Sequence, residues 1–106
     1  MTTYILLSKI SPTSVSRMTE LAELDQLFDR QLSQELPQVR RIASYALLGP
    51  YDFIHIFEAP DSITAAKVSL IANQFGAGTT QTLTAIPFEE FKKAAKEVDR
   101  IQVVKR

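Results

Sequence analysis

The chain contains no cysteine, which excludes disulfides, thiolate metal ligands and thiol nucleophiles together. It holds one histidine, His55, so a zinc site built on paired imidazoles is excluded too. Charge of neither sign prevails, with 12 Lys and Arg against 12 Asp and Glu. No net field therefore draws phosphate backbones or anionic lipid from a distance, and neither nucleic acid nor membrane is an expected partner. No apolar run approaches the ~20 residues of a spanning helix, and Met1-Thr2-Thr3-Tyr4 lacks the basic stretch of a signal peptide. Together with the missing cysteine this sets a cytoplasmic expectation. A Gly-rich phosphate loop, a serine nucleophile elbow and zinc-ligand spacings are absent as well. Gly76-Ala77-Gly78 reads as a helix stop, and no cofactor is expected.

What is present is ordinary globular material. At 106 residues, 45% apolar and 23% charged, the chain is long enough for one hydrophobic core and too short for two. A single domain over 1–106 is expected, with a core at about 4–87 and a C-terminal helix and tail at 88–106.

Tyr4 to Ile10 is apolar and partly β-branched, a strand that Ser11-Pro12-Thr13 closes with an N-cap and a first-turn proline. From Val15, residues Met18, Leu21, Leu24, Phe28 and Leu32 recur every three or four positions, an amphipathic helix that ends before Pro37. Val39–Leu48 and Phe53–Glu58 read as two antiparallel strands around Gly49-Pro50-Tyr51-Asp52. Asp61 is the N-cap of a second helix carrying Ile63, Ala66 and Leu70 on one side and Ala65, Val68 and Ala72 beside it. The alternation over Thr79–Ile86 predicts a fourth, half-buried strand. Phe88, Phe91, Ala95 and Val98 mark a third, shorter helix, and Ile101–Val104 a fifth, added strand.

The order βαββαβ is the split βαβ arrangement, an α+β ferredoxin-like sandwich in which both helices cover one face of a four-stranded antiparallel sheet. In the third strand Phe53, His55 and Phe57 alternate with Ile54 and Ile56, so both faces are apolar. A solvated face would be polar at every second position, which argues for a cover over the second face, and a homodimer or higher homo-oligomer is the economical one. The expectation is that Phe53, His55 and Phe57 emerge on the side no helix shields.

Several residues are candidates for chemistry. His55 is either a base or proton shuttle in an apolar pocket, or an interface histidine bonded to a Tyr or Thr across a dimer. Thr82 and Thr84 are expected on the same open face, provided Leu83 and Ala85 meet the helices. With Tyr51, Phe53 and Phe57 they form the candidate ligand-binding set around His55, which is also the candidate for catalysis. Tyr51 and Asp52 read first as turn residues, with a place at a pocket mouth as the alternative. Glu58 is expected in a salt bridge, and Arg40 and Arg41 as solvated edge-strand charges.

Leu48-Gly49-Pro50-Tyr51-Asp52-Phe53, followed by Glu58-Ala59-Pro60-Asp61, resembles the signature region of the GYD domain family. Thr82-Leu83-Thr84-Ala85 and the opening Tyr4-Ile5-Leu6-Leu7 with Ser11-Pro12 fit the same pattern, although Pro50 here splits the Gly-Tyr-Asp of the family name. The resemblance implies a dimeric α/β barrel type of ferredoxin-like domain found in mostly uncharacterised bacterial proteins, and it supplies no catalytic residue. The expected function is a homo-oligomeric small-molecule-binding or structural module. The alternative is a cofactor-independent, monooxygenase- or isomerase-like enzyme acting on a small hydrophobic compound.

Overall fold

The computed structural model describes residues 1–11 and 19–105. Its elements are β1 (Thr2–Ile10), α1 (Leu21–Glu35), β2 (Arg40–Ala46), β3 (Phe53–Ala59), α2 (Ser62–Gln74), β4 (Ala77–Ala85) and α3 (Phe88–Lys105). The expected Pro12-Thr13 helix opening, with Val15 and Met18, lies outside the described residues.

Helix α1 buries Phe28 and Leu32, and its cap residue Leu36 follows at the same four-residue spacing, one stripe of a 3.6-residue period. Its end is closed by the Leu36 amide, which donates to the Leu32 carbonyl at 2.7 Å, and Pro37 cannot continue the ladder. Helix α2 starts at Asp61 as expected, where Oδ1 accepts from the Thr64 amide at 2.8 Å and from Thr64 Oγ1 at 2.7 Å. Those bonds, the hydroxyl's first, hold the Asp61 carboxyl below the usual carboxylate range. Its buried side is Ala65, Val68, Ile71 and Ala72, while Ile63 and Leu70 stay outside.

Gly76 ends α2 at φ 107°, a backbone region that favours glycine. Gly78 has a different reason. It belongs to β4, and a Cβ there would stand 2.7 Å from the Ser11 Cα. Only the missing side chain lets β1 and β4 close at that point, so the expected helix stop is Gly76 alone.

The sheet order is β2-β3-β1-β4, antiparallel throughout. Leu6 stands opposite both His55 and Thr82, and Tyr4 opposite both Phe57 and Thr84. Directly opposed residues share a face. Tyr4, Leu6 and Phe57 are core residues packed with Phe28, Val68 and Ala72 of the helices, so this is the covered face. Phe57 is 1% exposed and stacks on Tyr4 with ring centroids 5.8 Å apart.

The expected orientation of β3 is therefore reversed. Phe53, His55 and Phe57 lie beneath the helices, and Ile54 and Ile56 leave on the open side. Thr82 and Thr84 do share the face of His55, but it is the covered one, and on the edge strand β4 they remain exposed. Leu83, opposite Ile5, points the other way with Ala85. The period of two says which residues travel together and not which side they take. The open face carries Ile5, Leu7, Ile54, Ile56, Leu83 and Tyr45.

Helix α3 continues through Ile101–Val104, so no fifth strand forms there. No glycine or proline interrupts the chain after Pro87, and extending a helix fixes only one residue per added hydrogen bond. All of residues 88–100 are exposed, and the molecule is 61 Å along its longest axis.

Candidate ligand-binding cavity

Between α1 and the covered face of β2 and β3 lies a cavity of about 470 Å³. Its apolar wall comes from Leu21, Leu24 and Phe28 of α1, Phe53 of β3, and Phe75 after α2. A volume of this order is that of small-molecule sites, which are apolar with a few placed polar groups.

The polar groups here form one chain. Arg41 Nη2 donates to Asp25 Oδ1 at 3.2 Å and to Ser44 Oγ at 3.1 Å, while Nη1 donates to Asp29 Oδ1 at 3.2 Å. Ser44 Oγ is 2.8 Å from His55 Nδ1. The Arg41 guanidinium also lies 5.4 Å from the centroid of the Phe28 ring, and His55 packs on that ring at 5.9 Å. Asp25 and Asp29, one helical turn apart, straddle Phe28, so α1 is pinned to β2 by charge and by ring contact at one place.

Burial lowers the pKa of His55, the Arg41 charge lowers it further, and Asp25 partly opposes both. The imidazole is neutral at pH 7. For stability the sign follows. The unfolded chain binds the proton near the ordinary value of 6.5, and the folded chain binds it only at lower pH. The stability contributed by a neutral His55 is thus complete above about pH 6.5 and is lost as the pH falls through the folded pKa. Acidification from pH 7 to 5 is expected to lower the melting temperature of the native protein more than that of His55→Phe. Equal losses in thermal scans of the two would contradict the burial of this ring.

Of the expected ligand-binding residues, the structure brings His55 and Phe53 to the cavity wall. Phe57 is under it in the core. Tyr51, Thr82 and Thr84 are elsewhere: the Tyr51 hydroxyl donates to Gln81 Oε1 at 2.6 Å, on the open face. Asp52 acts structurally, its Oδ2 accepting from the Ile10 amide at 2.8 Å while its own amide donates to the Ser8 carbonyl. That partner is 42 positions away, not in the turn itself. Glu58 stands opposite Arg40, and the expected salt bridge of Glu58 is absent among the described residues. Arg40 is exposed as expected, but Arg41 is the clamp on α1 and no solvated edge charge. His55 Nδ1 finds Ser44 Oγ of its own chain at 2.8 Å.

Sequence reasoning missed Ser44, Asp25 and the role of Arg41. A bulge between Arg41 and Ala43 shifts the register of β2, so Arg41 and Ser44, three apart, reach the same face. Strict alternation puts them on opposite faces. The one readable signal was the Asp25/Asp29 pair flanking Phe28 on the apolar stripe of α1. Among the described residues no group of three or more His, Asp or Glu could hold a metal ion, and no helix is long and apolar enough to cross a membrane.

These features define a ferredoxin-like α+β domain with a helix-side cavity and an apolar open sheet. The chain belongs to the GYD domain family, whose model matches residues 4–95. A relative from Thermus thermophilus, described as a glutamine synthetase and cystathionine beta-lyase binding protein, is 36% identical over 87 residues, 82% of this chain and 90% of the relative. Among solved structures, TTHA0845 from Thermus thermophilus is similar with a TM-score of 0.53 and 26% identity, over 82% of this chain and 95% of that one. MtbAldR shares the fold with a TM-score of 0.57 at 15% identity, over 81% of this chain. This chain spans about half, 53%, of that longer protein.

Proposed function

We propose that the protein is a binding module that works as a homodimer joined through its open sheet face, takes a small hydrophobic molecule in the cavity beneath α1, and acts on another protein. The observation that carries this reading is the division of the sheet. One face offers a cavity under α1 with a single polar chain at His55, and the other offers the half-buried Ile5, Leu7, Ile54 and Ile56 and the exposed Leu83, with none of the described helices over them. Large uncovered apolar faces mark association surfaces, and a two-fold pairing covers both copies with one self-complementary patch. Because the two features lie on opposite sides, pairing leaves the cavity accessible. That the 36%-identical relative is described as a binding protein for two enzymes supports an output through a protein partner.

Light scattering after size exclusion is expected to give a mass twice 11.9 kDa at micromolar concentration. A stable monomer there would remove the proposed assembly. A second reading, a cofactor-independent enzyme, rests on one observation: His55 is held neutral in an apolar setting, as a general base must be. It stands or falls on whether His55→Ala abolishes a turnover that the native protein catalyses.

A further inference from the structure

The polar chain at the cavity wall also fixes what kind of molecule can enter, an inference that rests on the reading of the cavity as a ligand site. Arg41 has donors only, so in its bond with Ser44 the serine oxygen is the acceptor. The serine keeps its proton and one further lone pair, so toward His55 Nδ1, 2.8 Å away, it donates or accepts as the tautomer decides. When it donates, Nδ1 has no hydrogen of its own and the neutral ring carries its proton on Nε2. That nitrogen has no partner among the described residues, and no buried side-chain nitrogen or oxygen there lacks one, so Nε2 is open rather than sealed in the core.

The charges exclude the obvious alternative. Among the described residues Arg41 is the cation at the cavity wall, and it is already held by Asp25 and Asp29. Two carboxylates against one guanidinium leave an excess of one negative charge, so an anionic group would enter without a free counter-charge and against repulsion. An unpaired ion in an apolar cavity costs far more than a neutral dipole does. A cation would face the Arg41 guanidinium and the positive end of the His55 N–H bond.

We propose that the cavity beneath α1 binds a neutral, mainly apolar molecule bearing one carbonyl-type acceptor, which receives a hydrogen bond from His55 Nε2, with Ser44 and Arg41 as positioning residues. Leu21, Leu24, Phe28, Phe53 and Phe75 receive the hydrocarbon body.

The test uses three probes of similar size on the full chain: propiophenone, propylbenzene and hydrocinnamate, with affinities from ligand titrations followed by NMR. The ketone is expected to bind about five- to tenfold more tightly than the hydrocarbon, the worth of one neutral hydrogen bond, and the carboxylate not to bind over the same range. In His55→Phe the ketone should fall to the level of propylbenzene. Because the chain has one histidine, nitrogen NMR of the native protein reads its tautomer without mutation, and a proton on Nε2 is expected. A proton on Nδ1, equal binding of ketone and hydrocarbon, or tightest binding of the carboxylate would overturn the ligand class while leaving a ligand site in place. Failure of all three probes to bind would overturn the site itself and the inference with it.

Discussion

Replacing Phe57 by Ala is expected to lower the unfolding free energy by about 3–5 kcal/mol, and urea titration followed by circular dichroism measures it. The ring is 1% exposed, stacked on Tyr4 and placed at the centre of the cluster that joins β1 and β3 to both helices. No nearby side chain can swing in to fill the space, because its neighbours Leu6, Ala59 and Val68 are themselves fully enclosed and close-packed interiors relax only partly. A small domain has only ~5–15 kcal/mol in all, so this one change takes a large share. A loss below about 1 kcal/mol would mean that Phe57 is on the open face after all.

Its neighbour is expected to behave in the opposite way. Ile56 is next in sequence but leaves the sheet on the uncovered side, opposite Ile5 and Ala43. Lysine at that position puts a charge at the centre of the proposed sheet-to-sheet contact, where pairing would bury two of them, one from each copy. The variant Ile56→Lys is expected to weaken association by at least about a hundredfold, on the order of 3 kcal/mol, so that light scattering at micromolar concentration reads a single chain. The native far-ultraviolet circular dichroism spectrum should persist, since a lysine on an open face reaches water with its ammonium. Undiminished dimer mass in Ile56→Lys would place the association surface elsewhere, with the exposed stripe of α3 at Phe88, Phe91 and Val98 the next to be tested.

The pair Phe57 and Ile56 also shows what the one-dimensional pattern could carry. The strand itself was legible: five of its seven residues are apolar, and Gly49-Pro50 and Pro60 bound it. So was the sharing of a face by Phe53, His55 and Phe57, because side chains alternate along any strand. The direction was not legible, since a strand apolar on both sides satisfies either choice locally. The same ambiguity carried Thr82 and Thr84 to the covered side together with His55. For α3, a β-branched run near the end suggested a strand, but strand formation needs a neighbour to pair with, whereas a helix satisfies its own backbone.

The element order, the four-stranded antiparallel sheet, the Asp61 cap and family membership were set by local chemistry: where apolar residues recur, where proline and glycine stop them, and which oxygen lies beside a free helix amide. Which face of the sheet the helices chose, and with it the meeting of Asp25, Arg41, Ser44 and His55 around a cavity, was decided only in three dimensions. Packing α1 on the sheet settles the first, and a one-residue bulge at Ile42 settles the second. Both are global compromises between volumes and registers, and no window of sequence contains all the residues that negotiate them.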